Sequence, residues 1–227
     1  LALAVIAGVT NCRADGGTND QILRHLWVCF GMSSIFETYS AVDVRDLIAE
    51  YPLAWVVTKG ETQASLLPLL GEYDGEGRLT YLLGHMGRRN PLFGQLSETP
   101  AVTILFNGPQ GYVSPDHANR RNWGPTWNYA QAAIAAEIVF LPDETDHALD
   151  ALTLAMEGER WSASDLGSRY DGMAAAIIAF RAEVTQVSGR FKLGQDEPTE
   201  IFEAIVERHP DAALVRWMRR FAKMRGN

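Results

Sequence analysis

The sequence predicts a mainly β chain of the α+β class, a β-barrel with peripheral helices, on three observations. Short apolar runs joined by glycine turns occupy Leu53 to Ser114, a long period-two run follows from Trp127 to Leu141, and most helix-patterned segments come after it. The 227 residues are 47% hydrophobic and 21% charged, which supplies one sizeable core, and neither an internal repeat nor a separate second domain is visible.

In chain order, Ser40 caps a helix from Ala41 to Tyr51, with Val44, Leu47 and Ile48 on one face, and Pro52 ends it. Leu53 to Thr58 predicts a short buried strand and Gly60 a turn. Gln63 to Leu70 predicts a second strand, which Pro68 places at an edge or a bulge. Gly71 to Gly77 is a hairpin loop, Leu79 to Leu83 a third strand, Ala101 to Asn107 a fourth and Gly111 to Ser114 a short fifth. On the long strand Ile134, Ala136, Ile138 and Phe140 share a face. Pro142-Asp143 stops it and caps a helix from Glu144 to Glu157, on which Leu149, Leu152 and Met156 align. A second helix is expected from Leu166 to Phe180, then a last strand from Arg181 to Val187, with Ser188-Gly189 turning the chain into Arg190 to Leu193. Pro198 opens a helix that ends before Pro210, and a final amphipathic helix carries Leu214, Met218 and Phe221 on one side.

Residues 1–31 read as a non-domain N-terminal extension. Leu1 to Gly8 is apolar but too short to span a bilayer, and it lacks the basic segment of a secretory signal. Residues 32–207 form the domain, and 208–227 a basic amphipathic helix packed on it or extending from it. The net charge of −8 argues against a general nucleic-acid surface. The one basic concentration is the C-terminal helix, with six Lys/Arg against one Asp over residues 208–227. Such a helix end contacts DNA or a partner, or forms a solvated face with cations at its C-terminus. Cys12 and Cys29 have no metal or redox spacing, and the five histidines form no metal motif, so no metal and no membrane span are expected, and a reducing cytoplasm is compatible.

Two stretches carry chemistry. Asn107 to Tyr129 holds three of the ten prolines, three of the twenty glycines, two of the six tryptophans and two of the seven tyrosines. A loop of that length and composition between strands is expected to shape a small-molecule site. In Gly84 to Pro91, a strand ends in glycine, two arginines follow, and a helix starts; its backbone amides with Arg88 and Arg89 would cradle a phosphate.

The blocks GHMGRRNP (84–91), FNGPQGYVSP (106–115), GPTWNY (124–129) and EVTQVSGRFKLGQDE (183–197) resemble the PaiB-type family of FMN-binding negative transcriptional regulators, flavin-binding split barrels akin to pyridoxamine-phosphate oxidases. The resemblance runs from about Met32 to Glu207. It implies a split β-barrel homodimer with FMN near the subunit interface. Carried over, it links His85, Arg88 and Asn90 to the flavin phosphate. Tyr112 and Ser114 follow the glycine approach, Trp127, Asn128 and Tyr129 line the site, and Lys192 and Gln195 come from the last block. The chain departs from the family pattern at Leu66, Asp116-His117 and Asp196, and residues 116–122 are expected to set any specificity of its own. The expected function is therefore a flavin-dependent regulator or sensor, with DNA contact through the C-terminal helix as a weaker expectation. The alternatives are a flavin-dependent oxidoreductase, with Tyr112, His117 and Tyr129 as proton-transfer candidates, and a dimeric scaffold without flavin.

Overall fold

The computed structural model describes residues 35–59 and 63–224, so the extension expected over 1–31 and the turn expected at Gly60 lie outside the described residues. Six strands, β1 (Leu53–Thr58), β2 (Ala64–Tyr73), β3 (Leu79–Gly87), β4 (Ala101–Val113), β5 (Thr126–Leu141) and β6 (Ile177–Lys192), close into a barrel in the order β1-β2-β3-β6-β5-β4. All six neighbouring pairs, including the closing β1–β4 pair, are antiparallel. Six α-helices flank it among the described residues: α1 (Ala41–Glu50), α2 (Pro91–Glu98), α3 (Thr145–Glu157), α4 (Tyr170–Ala174), α5 (Thr199–Arg208) and α6 (Ala212–Phe221).

Period-two patterning sets which face of each strand is inside. Ala54 and Val56, Leu67 and Leu69, Leu82 and Met86, Val102, Ile104 and Phe106, the small residues Ala130, Ala132 and Ala136, and Phe180 and Ala182 are all buried in one core. Close packing is tightest where side chains are missing. A Cβ at Gly84 would meet Leu69 Cδ2 at 2.4 Å and Phe180 Cζ at 2.9 Å, so the glycine opens room for the phenylalanine ring.

The helices cap this core. At α1 the Ser40 side chain accepts from the Asp43 amide while the Asp43 carboxylate accepts from the Ser40 amide, a reciprocal capping box. Its apolar face (Val44, Leu47, Ile48) is buried. α6 belongs to the same core. Its Trp217 and Phe221 stack on Phe191 of β6 at centroid distances of 6.0 and 4.9 Å. Its basic face is tied to α1: Arg220 meets Asp43 at 2.7 Å and Asp46 at 2.8 Å, and Arg216 meets Glu50 at 2.5 Å. Burial alone would raise the Asp46 carboxyl, but Arg220 and Arg45 outweigh it and hold it below the usual carboxylate range.

Several elements differ from the sequence-based expectation. β1 is not buried on both faces: Leu53 and Trp55 point outward and are 51% and 43% exposed. Pro68 sits neither at an edge nor at a bulge. It is the residue where β2 stops pairing with β1 (Leu53↔Pro68) and starts pairing with β3 (Leu69↔Gly84), a handover where a missing amide costs least. The expected fourth and fifth strands are one strand, β4, with a register shift between Asn107 and Gln110. The helix expected over 166–180 gives way: a 3-10 segment at Ala163–Arg169 and the short α4 precede β6, which takes up Ile177 to Phe180. β6 also runs straight through Ser188-Gly189. Gly189 lies in the strand because Phe191 and Tyr39 pack where its side chain would be, at 2.8 and 3.0 Å from a Cβ.

Candidate functional site

The sequence-selected residues fall into two groups on the barrel surface. The first lies at the end of β3. His85 projects from the outer face beside Ala179 of β6 and is half-buried. Its Nδ1 is shielded from solvent and has no hydrogen-bond partner among the described residues, and burial holds the imidazole below its usual pKa. The turn that follows is fixed by the Arg88 amide, which donates to the Ala176 carbonyl at 2.9 Å. Arg88 and Arg89 are exposed, and no ion pair holds either among the described residues. Asn90 is the N-cap of α2: its Oδ1 accepts from the Leu92 amide and from Ser65 Oγ, both at 3.0 Å. It braces the turn that presents the arginines. Beside this turn, Trp55 of β1 and Leu66 of β2 pair across the ladder with both side chains outward, 43% and 44% exposed.

The second group gathers where β4, β5 and the end of β6 meet. Tyr112 and Trp127 are paired across β4 and β5, edge to face at 5.9 Å, and are 46% and 54% exposed. Lys192 Nζ donates to Thr126 Oγ1 and, at 3.2 Å, to the Trp127 carbonyl, which holds its ammonium at the start of β5. Tyr129 pairs with Lys192 in the ladder, and its hydroxyl accepts from Arg190 Nε at 3.1 Å. Arg190 in turn bonds Glu37 at 2.8 Å.

Three selected residues are internal supports. Asn128 is buried, with Nδ2 at 3.7 Å from Met218 Sδ. Gln195 is buried and satisfies the chain after β6, donating to the Phe191 carbonyl at 2.6 Å and accepting from the Leu193 amide at 2.7 Å. Ser114 Oγ accepts from the His117 amide and shapes the loop over 114–125. That loop is docked rather than loose. Ala118 is buried in the core, Arg120 pairs with Glu200 at 2.8 Å, and Trp123 Nε1 donates to Glu197 at 3.0 Å. Asn119 takes a positive φ of 52°, which asparagine tolerates. A groove of about 520 Å³ runs between this loop and α5, lined by Arg120, Glu203, Glu207 and Arg219 among others.

The two groups do not meet within one chain. His85 lies opposite Ala179 and Tyr129 opposite Lys192, thirteen residues apart on β6. At about 3.3 Å per residue that is about 43 Å along the strand. The first group supplies cations and an apolar wall; the second supplies an aromatic wall and an ammonium. Trp55, Leu53 and Thr126 were missed from sequence, although the outward Trp of LAWVVT sits in a period-two pattern that marks it.

Comparisons place this geometry in a family. Residues 32–186 match the family described as "Putative FMN-binding domain". "Protease synthase and sporulation protein PAI 2" of Bacillus subtilis (strain 168) is 25% identical over 185 residues, covering 76% of this chain and 85% of its own. Among solved structures, the FAD and heme binding protein from Mycobacterium smegmatis superposes with a TM-score of 0.54 at 19% identity, covering 68% of this chain and 72% of that one. The flavocytochrome Anf3 from Azotobacter vinelandii gives 0.53 at 13% identity, with 68% of each chain covered. At these identities the likeness is one of fold, and the fold is the split β-barrel with peripheral helices. No helix among the described residues is long and apolar enough to cross a membrane.

Proposed function

This chain belongs to the FMN-binding family that its residues 32–186 match, and from that premise we propose that it is a cytoplasmic, homodimeric FMN-dependent regulator or sensor of the PaiB type. The regulatory half of the reading comes from the Bacillus subtilis relative, whose name ties it to protease synthesis and sporulation.

One observation supports the dimer and the site together. The candidate residues form two complementary half-sites on one barrel, with His85 and Tyr129 set against β6 positions thirteen residues apart, about 43 Å along the strand. A second copy related by a two-fold axis sets the β3 end of one chain against the Tyr112–Trp127 end of the other. In that arrangement Arg88 and Arg89 take the phosphate. The shielded, unsatisfied Nδ1 of His85 gains a polar partner, and Trp55, Leu66, Tyr112 and Trp127 wall the ring. The residues present fit the group: an anion meets cations with no ion pair among the described residues, and a flat heteroaromatic meets exposed apolar surface. FMN supplies redox or light-absorbing chemistry when bound, and the protein contributes position and electrostatics.

No observation favours the oxidoreductase reading over this one. Two of its three proton-transfer candidates are already engaged, His117 Nδ1 by the Ser114 amide and the Tyr129 hydroxyl by Arg190. DNA contact is not assigned to the C-terminal helix, since Arg216 and Arg220 are paired with α1 carboxylates and its apolar face is core.

The test is a fluorescence titration of the full chain with FMN, alongside sedimentation. Binding is expected with a dimer. Arg88→Ala with Arg89→Ala should weaken it at least about tenfold and flatten its salt dependence. Trp55→Glu with Leu66→Glu should lower dimer content and FMN affinity together. FMN binding undiminished in a monomeric variant would sink the shared-site reading.

A further inference from the structure

His117 and His209 come together from distant parts of the chain. Their rings stand edge to face with centroids 4.9 Å apart. His117 lies in the 114–125 loop, and His209 is the C-cap of α5, at the corner between α5 and α6. His209 packs directly on the β4 backbone, because Gly111 leaves the space: a Cβ there would meet His209 Cε1 at 2.8 Å and Nε2 at 2.9 Å.

The hydrogen bonds fix the protonation of both rings. His209 Nδ1 accepts from the Asp211 amide at 3.2 Å, so its proton is on Nε2, which donates to the Tyr112 carbonyl at 3.2 Å. His117 Nδ1 accepts from the Ser114 amide at 3.2 Å, so it too carries its proton on Nε2. In both rings the only nitrogen open to a second proton faces a backbone N–H. At His117 protonation therefore breaks the bond from the Ser114 amide and places donor against donor.

The surrounding charges do not cancel this. On the loop, Asp116 favours the charged form of His117, but burial and His209 outweigh it and hold the imidazole below its usual pKa. On the α6 side, the Asp211 carboxylate is committed to the cap, accepting from the Ala213 and Leu214 amides. On α5, Glu207 and Arg208 pair with each other at 3.1 Å, and Glu200 pairs with Arg120 of the loop. β4 contributes only the Tyr112 carbonyl to the hydrogen bonding.

The geometry points to a proton-operated latch: neutral His117, packed on His209, locks the 114–125 loop and the α5–α6 corner onto β4 beside Tyr112, and protonation of His117 releases the loop from that face. The latch regulates the face that the proposed FMN site uses, and it rests on that reading only for the ligand it would gate; its own operation needs no flavin.

Hydrogen–deuterium exchange on the full chain without FMN tests it, at about pH 5 and about pH 7.5, corrected for intrinsic exchange. The amides over 114–125 should lose protection by about tenfold or more at the acid end while those of β5 stay protected. His117→Gln with His209→Gln keeps side-chain amide donors that do not titrate, and it should hold loop protection level across the range. Imidazole ¹⁵N spectra at about pH 7.5 should show both rings as the Nε2–H tautomer. Loop protection that is independent of pH in the native chain, an unchanged transition in the double variant, or an Nδ1–H tautomer at either ring would each overturn the latch. A separate FMN titration at about pH 7.5 reports on the flavin reading alone, so either idea can fail without the other.

Discussion

At the scale of one residue, His85 is a half-buried imidazole whose Nδ1 has no hydrogen-bond partner among the described residues and whose pKa burial holds below its usual value. Its lowered pKa has a definite sign in stability. Above the unfolded value of about 6.5 neither state binds the proton; below it the unfolded chain takes one up that the folded chain refuses, so stability falls as pH drops through the folded pKa. His117, also lowered, adds in the same direction. Urea unfolding without FMN at about pH 7.5 and about pH 5.5 should therefore show a loss on the acid side. His85→Leu should shrink that loss while leaving the His117 share, and an unchanged pH slope in this variant would show that His85 is not buried as described. Asn90 illustrates the other kind of residue. The sequence placed it beside an expected phosphate site, and the structure makes it the cap of α2 that braces the Arg88–Arg89 turn.

At the scale of elements, packing decides what periodicity leaves open. Gly84→Ala puts a methyl into the ring of Phe180 and the side chain of Leu69, both buried in the core. The expected cost is about 1–3 kcal/mol in urea unfolding, with no change in secondary structure by circular dichroism. A loss below about 0.5 kcal/mol would mean that the barrel breathes at this point. The same steric fact explains what the sequence concealed. Ser188-Gly189 reads as a turn from composition, yet Gly189 is there so that Phe191 and Tyr39 can lie against the strand. α1 and β5 were legible because capping chemistry and a clean alternation are local signals. The continuity of β4 and of β6 was not, because each depends on a partner strand far away in the chain. The candidate residues were legible as motifs, whereas their division between two faces follows from register, which no local pattern records.

For the whole molecule, α6 joins the last residues described to the core of the barrel. The stack of Phe191, Trp217 and Phe221 is buried, and Trp217 Nε1 also donates to Glu50 at 3.0 Å. Trp217→Ala should cost about 3–5 kcal/mol and lower the melting temperature of the entire domain in one transition. A separate early transition for the C-terminal segment, with the barrel's melting unmoved, would show α6 to be an appendage. Part of the basic character of this segment thus has a structural use, since Arg216 and Arg220 join α6 to the acids of α1.

Closure of the barrel carries a consequence for assembly. Each of the six strands already has a hydrogen-bonded neighbour on both sides. An open sheet offers a free margin onto which a foreign strand can add, and templated aggregation grows from such margins. In this molecule such margins are confined to parts of strands: β2 pairs with β1 over Ala64–Pro68 and with β3 over Leu69–Tyr73, and Gln110–Val113 of β4 pair with β5 alone. Self-association through the outward faces of the sheet would instead be made by side chains such as Trp55 and Leu66. Point substitution at those side chains is then the means to alter it.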